Sequence, residues 1–301
     1  MIAADGPFHD DRPLPTRDAI SDILDVTQTG PDRFTGSAGA HNHIGSVFGG
    51  RLLAQALLAG MKTVEALPAS SFHAYFLAAG RTDRRLDYQV ARLRDSRRFA
   101  NRQITACQDG RAIFTMMAEF HAPEEGFVHQ NAAMPVVPPP ERVAPIQHFV
   151  RERAAELEQA VTHNFAAALA IEMRPIAPED YFLARPTEAA RSFWFRQSGA
   201  ATVEDSRLQQ CLLAFASDYW LGGAAAIPHF LPTNSGEFLT TSMDHAMWFH
   251  RPARCEAWML HHTSSPSAGD GLGLTTGRIF DRDGRLIAST AQECLMRRLR
   301  T

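Results

Sequence analysis

Three polar residues in the second half of the chain, Asp218, Ser242 and Gln292, carry groups that could together activate a water molecule. A carboxylate can take a proton as a general base, and a hydroxyl and an amide can fix the direction of the water. Asp218 lies three residues after Phe215 on an apolar helical stripe, and Gln292 alternates with apolar residues of a predicted strand. We therefore expect Asp218 and Gln292 to point towards a core, where an unpaired polar group is costly.

Each of these residues also has a simpler explanation. Asp218 could be an exposed carboxylate near a helix end, Ser242 could be structural, and Gln292 could satisfy a buried backbone group. Periodicity alone does not separate these explanations from catalysis. The chain offers an independent test, because its sequence contains an internal repeat.

The repeat consists of three matched segments that occur in the same order in both halves. "RLLAQALLAG" aligns with "CLLAFASDYW" at an offset of 160, and the Asp-Gly-Arg segments near the end of each half align at 174. Between them, "SSFHAYF" aligns with "SMDHAMW" at 172. In residue numbers, the matches are 51–60 with 211–220, 70–76 with 242–248, and 108–120 with 282–294. The chain is therefore predicted to be two copies of one unit.

The first copy shows which residues occupy the candidate positions when no chemistry is required there. At these offsets, Asp218 aligns with Leu58 and Gln292 aligns with Ala118. Ser242 aligns with Ser70. Because two of the three positions are apolar in the first copy, their polar counterparts favour a catalytic role for the second copy.

Each copy has the pattern of a strand, a long helix and four antiparallel strands. The helices are predicted at 49–64 and about 205–220, and each final hairpin carries an Asp-Gly pair, a strong turn signal. The first helix is apolar on nearly all sides, so it must be buried, and a sheet wrapped around it satisfies that demand. We expect an α+β fold with one continuous sheet. A first unit spans 20–130, a Pro-rich linker and helix span 131–165, with the linker outside the sheet, and the second unit spans 166–301.

Composition excludes several functional classes. A formal net charge of −3 over 301 residues gives no nucleic-acid signature. The four cysteines and thirteen histidines show no zinc-ligand spacing, so no metal is expected. The N-terminus lacks the order of a signal peptide, and no apolar run reaches membrane-spanning length. We expect a cytoplasmic protein without membrane insertion.

Taken together, the motifs resemble the type II acyl-CoA thioesterases over roughly residues 33–298. The segments that carry the resemblance are, in order, "VFGGRLLAQAL", "SFHAYFLAAG", "LRDSRRFANRQITACQDGRAIF", "FHAPEEGFVHQ", "FASDYW", "DHAMWFHRP" and "ASTAQE". The resemblance implies a tandem double hotdog fold, hydrolysis of fatty acyl-CoA to free acid and CoA without a cofactor, and a homo-oligomer. It assigns catalysis to Asp218, Ser242 and Gln292. Some members have Thr at the position of Ser242, and either residue supplies a hydroxyl.

Substrate binding is predicted at the start of the first helix and at one further acidic residue. Phe48, Gly49 and Gly50 begin the helix, where backbone N–H groups can stabilise developing negative charge. Asp244 is the further candidate, with a structural role as its favoured alternative.

Two other functions stay open from the sequence. A non-catalytic acyl-CoA-binding protein would not need the acid and the amide. A hotdog enoyl-CoA hydratase would need an Asp/His pair, and the aligned positions show none. The sequence also lacks the G-x-S-x-G motif of an α/β-hydrolase.

Overall fold

The computed structural model describes residues 19–39, 45–157, 159–166, 169–183, 188–229 and 238–298. Within them, the first unit contains two helices and six strands. They are α1 (Ile20–Ile23), β1 (Val26–Gly30), β2 (Arg33–Gly36), α2 (Gly49–Met61), β3 (Ala69–Phe76), β4 (Leu86–Asp95), β5 (Phe99–Gln108) and β6 (Arg111–His121).

The rest of the described chain contains a connecting segment and the second unit. Its elements are a 3₁₀ turn (Pro140–Arg142), α3 (Ile146–Glu152), α4 (Gln159–Ala166), β7 (Glu172–Pro175), α5 (Pro178–Phe182), β8 (Ala190–Arg196), a second 3₁₀ turn (Ser198–Thr202), α6 (Ser206–Ser217), α7 (Gly223–Ala226), β9 (Phe238–Ser242), β10 (Asp244–Phe249), β11 (Met259–Gly269), β12 (Leu272–Asp281) and β13 (Leu286–Arg298). None of the helices in the described ranges has the length and apolar character needed to cross a membrane.

All strands of the described chain belong to one antiparallel sheet, which confirms the predicted continuous sheet. Its order is β1-β2-β4-β5-β6-β3-β10-β13-β12-β11-β8-β7, and β9 extends the pairing of β13. The two units join where β3 pairs with β10, for example at Ala74 with His245. The order of strands on one side of this join repeats on the other, as expected for two copies of one unit.

The two long helices lie inside the wrapped sheet and pack on each other. Every residue of α2 after Gly49 is buried, as predicted from a helix that is apolar on nearly all sides. The Sγ atom of Cys211 on α6 lies 3.6 Å from Sδ of Met61 on α2. The side chain of Gln210 on α6 hydrogen-bonds both the N–H and the carbonyl of Ala69 in the first unit. The α+β double hotdog architecture is confirmed.

Both long helices end about three residues earlier than predicted. The first ends at Met61 rather than at 64, and the second ends at Ser217 rather than at 220. In the second unit, Trp220 adopts a left-handed backbone conformation with φ 62°, which no α-helix continues through. Asp218 therefore lies at the helix C-cap rather than inside the helix.

The Pro-rich linker packs on the outer face of the second unit, as predicted. The indole of Trp194 on β8 donates to the carbonyl of Pro138 at 2.8 Å. Trp194, Trp258 and Leu260 form a separate apolar cluster with Met134 and other linker residues. Neighbours of Trp194 on β8 face the main core instead, so the linker covers the opposite side of the sheet.

Candidate active site

Asp218 is a nearly buried carboxylate at the C-cap of α6. Its side chain is only 6% exposed. The backbone there is helical (φ −79°, ψ −13°), and its N–H bonds to the carbonyl of Ala216. A carboxylate this deep needs partners, because burying it alone costs several kcal/mol. The exposed-carboxylate explanation is therefore wrong.

Gln292 provides the hydrogen bond that Asp218 needs. It lies on β13, 1% exposed, and its Nε2 donates to Oδ1 of Asp218 at 3.0 Å. A carboxylate only accepts, so the chemistry fixes which end of the amide faces Asp218. The sequence prediction that both side chains point into the second unit is confirmed.

His245 completes this cluster, and the sequence analysis missed it. The imidazole is fully buried, and its Nδ1 lies 3.4 Å from Nε2 of Gln292 and 3.7 Å from Oδ1 of Asp218. Its Nε2 lies 3.1 Å from the hydroxyl of Ser217. The expectation that no Asp/His pair exists is therefore wrong.

His245 was missed because the repeat was aligned one residue out of register in this strand. The pair Ala246–Ala291 in the second unit takes the place of His73–Met117 in the first, and Ser242–Cys294 takes the place of Ala69–Phe120. The offset is therefore 173 and not 172, since 246 minus 73 and 242 minus 69 both give 173. A slip of one residue reverses the face of every side chain in a strand.

This correction changes the counterparts of His245 and Ser242 and leaves that of Gln292 unchanged. His245 corresponds to the buried Phe72, whereas His73, with which the repeat aligned it, is exposed. Ser242 corresponds to Ala69 rather than to Ser70, so it too is polar only in the second unit. The match of Gln292 with Ala118 is kept: Ala118 pairs with Arg102, and Gln292 pairs in the same way with Thr275.

Ser242 is on the same side of the sheet as Gln292. It is the last residue of β9 and pairs directly with the buried Cys294, two residues beyond Gln292 on β13. Cross-strand partners share a face, so the hydroxyl of Ser242 is directed to the inside of the second unit. Within the described part of the chain, this hydroxyl has no hydrogen-bond partner, which leaves it available to a water or substrate.

The start of α2, from the first unit, lies against Asp218 of the second. A Cβ atom placed on Gly49 would lie 2.7 Å from Oδ2 of Asp218. The ring of Phe48 packs at 5.2 Å from Phe215 and 4.7 Å from Tyr219, both of the second unit. Two of the three predicted substrate-binding residues at this helix start, Phe48 and Gly49, therefore border the candidate site.

Gly50 has a different reason for being glycine. A Cβ there would collide with the backbone carbonyl of Phe215, so Gly50 permits the close approach of α2 and α6. Its N–H is still one of the first of the helix, which have no partner inside the helix.

Asp244 has a structural contact rather than a place in the cluster. Its Oδ1 accepts from the backbone N–H of Glu293 at 2.6 Å. It also precedes the buried His245 on β10, so its side chain lies on the other face of the strand. This geometry supports the structural alternative over substrate binding, and it fixes β13 one residue from Gln292.

A second set of polar groups lies deeper inside the second unit. His261 is fully buried, and neither ring nitrogen has a hydrogen-bond partner among the described residues. Burial, together with nearby His245 and Arg191, lowers the pKa of His261 to about 3, so it is neutral at physiological pH. Thr275 and Thr290, on β12 and β13, are also buried with unpartnered hydroxyls in the described chain.

The described residues contain no group of three or more His, Cys, Asp or Glu side chains placed to hold a metal ion. The four cysteines are free thiols, and burial raises the pKa values of Cys211, Cys255 and Cys294. These thiols therefore stay protonated, which makes them poor nucleophiles. Asp218 and its partners remain the candidate acid–base groups of this site.

Two family models match parts of this chain. The family model "Acyl-CoA thioesterase" matches residues 160–295, and the model "Acyl-CoA thioesterase N-terminal domain" matches 37–121. Acyl-CoA thioesterase 2 of Haemophilus influenzae is 37% identical over 252 residues, which cover 83% of this chain and 87% of that protein. Human acyl-coenzyme A thioesterase 8 is 34% identical over 258 residues, covering 83% and 80%.

Among solved structures, the acyl-CoA thioesterase II TesB2 from Mycobacterium marinum superposes with a TM-score of 0.75 at 33% identity. The match covers 93% of this chain and 97% of that one. Both units, their order and the sheet that joins them are thus shared with proteins of one family. The chain belongs to the type II acyl-CoA thioesterases.

Proposed function

We propose that the chain hydrolyses fatty acyl-CoA to free fatty acid and CoA with a water molecule that Asp218 activates and that Gln292 and Ser242 orient. The observation that carries this proposal is the buried carboxylate of Asp218, bonded to Gln292 and placed beside the start of α2. This arrangement puts a base and a donor of backbone N–H groups on either side of one cleft.

The two oxygens of Asp218 have different surroundings, which suggests their roles. Oδ1 accepts from Gln292, whereas Oδ2 is the oxygen nearest to Gly49. Oδ2 is thus the proposed base: it takes a proton as the water oxygen attacks the thioester carbon. The proton then passes to the sulfur of CoA as the carbon–sulfur bond breaks.

The negative charge that forms on the thioester oxygen would be stabilised at the start of α2. The first N–H groups of a helix have no intrahelical partner and lie at the positive end of its dipole. Those of Gly49 and Gly50 lie beside the base without belonging to the same unit. The acyl chain would follow the apolar cleft between the two units, past Phe48.

Ser242 is proposed to orient the water rather than to attack the substrate. A nucleophilic serine needs a base within hydrogen-bond reach. The imidazole of His245, the nearest histidine of the cluster, bonds Ser217 on one side and faces Gln292 on the other. No acyl-serine intermediate is expected.

Enoyl-CoA hydration is the second candidate, because Asp218 and His245 form an acid–base pair with 3.7 Å between Oδ1 and Nδ1. The amide of Gln292 bonds the same Oδ1 and faces the same Nδ1, so both atoms are already engaged. That contact favours hydrolysis over a dyad that works directly on substrate.

A panel of acyl-CoAs and enoyl-CoAs, assayed with a thiol reagent, separates the candidates. We expect release of free CoA from saturated substrates at a rate that Asp218→Asn lowers by about 10²- to 10⁴-fold. Loss of the enoyl double bond with no thiol release would show a hydratase. Binding without turnover by the wild-type protein would show a carrier and contradict the proposal.

Four further properties belong to the same proposal. They are one catalytic site per chain, assembly into a homo-oligomer, a cytoplasmic location, and the division into units at 20–130 and 166–301 with a linker and helix between them. Active-site titration with a nonhydrolysable acyl-CoA checks the first, and analytical ultracentrifugation checks the second.

A further inference from the structure

We infer that His245 is a positioning residue, which holds the amide of Gln292 in the direction that the reaction needs. The inference rests on the proposed function, since it concerns the same site. Its basis is a chain of contacts that runs from the backbone of α6 through Ser217, His245 and Gln292 to Asp218.

The first contact sets the tautomer of the imidazole. The hydroxyl of Ser217 has one proton, and the carbonyl of Ala214 at 2.9 Å is placed to accept it. The same hydroxyl lies 3.1 Å from Nε2 of His245, so it must accept there. Nε2 therefore carries a ring proton, and Nδ1 is the nitrogen whose lone pair can accept.

That lone pair faces Gln292. The amide nitrogen has two protons, and its two neighbours, Oδ1 of Asp218 at 3.0 Å and Nδ1 of His245 at 3.4 Å, are both acceptors. With its nitrogen held between them, the amide must direct Oε1 away from both. A Cβ placed on Gly222 would lie 3.2 Å from Oε1, so the missing side chain keeps that side open. Oε1 is then free to accept a proton of the attacking water.

The first unit fixes the ring itself. His245 is fully buried, and its ring stacks on Phe72 at 5.9 Å between centroids with 25° between the planes. The orientation of Gln292 thus depends on packing across the join of the two units. A purely structural histidine would share the stacking and the bond to Ser217, but turnover would not depend on the acceptor at Nδ1.

Three substitutions separate these two roles. His245→Asn keeps an acceptor at the position of Nδ1, His245→Gln reaches only the position of Nε2, and His245→Phe keeps only shape and stacking. We expect kcat to fall about tenfold or more in the Phe and Gln variants, with KM changed less than about twofold. His245→Asn should recover most of that loss. His73→Asn is the matched control, because His73 is the exposed histidine that the repeat aligned with His245, and it should behave as wild type.

A measurement on the wild-type protein keeps the inference testable if a variant fails to fold. Long-range ¹H–¹⁵N correlation spectra report which imidazole nitrogen is protonated, and we expect Nε2–H for His245. An Nδ1–H tautomer would overturn the inference. Equal kcat values for His245→Asn and His245→Phe would also overturn the inference, provided that the wild-type protein hydrolyses acyl-CoA. A wild-type protein that binds acyl-CoA without hydrolysing it would instead overturn the proposed function.

Discussion

Phe72 in the first unit and His245 in the second occupy corresponding places in the strand register and stack on each other across the join. One is a hydrocarbon ring, and the other carries two polar nitrogens that contact Ser217 and Gln292. The same fold position is therefore apolar in one unit and part of a polar contact network in the other.

The same contrast extends over the inner face of the sheet in both units. The first unit has apolar or large side chains where the second has amide, hydroxyl or imidazole groups. In the strand register the exchanges are Ala69 to Ser242, Ala118 to Gln292, Met116 to Thr290, Arg102 to Thr275 and Tyr88 to His261. The buried Tyr88 and Arg102 of the first unit have hydrogen-bond partners, whereas the hydroxyls of Thr275 and Thr290 and both ring nitrogens of His261 have none among the described residues.

At the starts of the two long helices, it is the second unit that has its backbone N–H groups capped and the first unit that leaves them open. Asp205 caps α6, and its Oδ1 accepts from the N–H of Arg207 at 2.8 Å, so a carboxylate already occupies that helix start. At α2 the N-cap is Phe48, whose side chain has no hydrogen-bonding atom. In the proposed mechanism, the first unit thus supplies the open helix start and the second supplies the acid.

The largest effect expected on turnover follows Asp218→Asn. The change is nearly isosteric, but it removes the base, so kcat should fall by about 10²- to 10⁴-fold while acyl-CoA binding is kept. Asp205→Asn is the control, because asparagine caps a helix as well as aspartate does, and we expect almost no loss. Steady-state kinetics with a thiol reagent measure both. Near-wild-type turnover in Asp218→Asn would contradict the prediction that the second unit supplies the base.

Gln292→Ala and Ser242→Ala return two positions to the residues of the first unit. We expect kcat to fall on the order of 10²-fold for Gln292→Ala, since Asp218 and the water both lose a partner. Ser242→Ala should cost on the order of tenfold, because a hydroxyl that only orients contributes less than a nucleophile. Mass spectrometry of the protein during turnover provides the check, and a trapped acyl-Ser242 adduct would contradict this ranking.

Gly49→Ala tests whether the open helix start of the first unit serves the acid of the second. Its Cβ would press on Oδ2 of Asp218, so we expect kcat to fall by about tenfold with little change in unfolding temperature. Gly50→Ala meets the backbone of Phe215 instead and should lower stability by about 1–3 kcal/mol. Thermal unfolding alongside kinetics distinguishes them. Equal stability losses in both variants would show that Gly49 serves packing alone.

His261 gives the smallest expected effect on activity and a specific effect on stability. Its pKa is about 3 in the folded chain and near 6.5 when unfolded, so below pH 6.5 the unfolded state binds the proton first. Stability is thus complete above pH 6.5 and is lost as the pH falls towards 3, by about 2 kcal/mol between pH 7 and 5. In urea unfolding at both pH values, His261→Phe should show a smaller loss. An unchanged loss would show that His261 stays solvated.

Much of this molecule could be predicted from its sequence, because local patterns and burial act together there. The apolar helix at 49–61, the alternation of β13 and the Pro-rich linker each allow one packing solution, and Asp218 and Gln292 lie where their patterns put them. The ends of the helices were less predictable. The stop after Ser217 depends on the left-handed turn at Trp220, a non-glycine residue without a turn signal.

The role of His245 could not be predicted from the residue types that the two copies share. The motif Ser-x-x-His-Ala occurs in both copies, and the repeat was aligned on these identical residues. Met243, however, interrupts the second strand between β9 and β10. Only the hydrogen-bond register shows that the two histidines face opposite sides. The alternation of residue types in β10 nevertheless indicated the correct face. Positions 245 and 247 are the buried ones, whereas positions 244 and 246 lie on the other face.

The linker between residues 122 and 145 passes over the outer surface, while the site draws on both units from within. The covalent connection therefore lies on the opposite side of the sheet from Asp218 and Gln292, and it supplies one first unit for every second unit. Each folded chain can thus bring the start of α2 to Asp218 without recruiting a separate subunit.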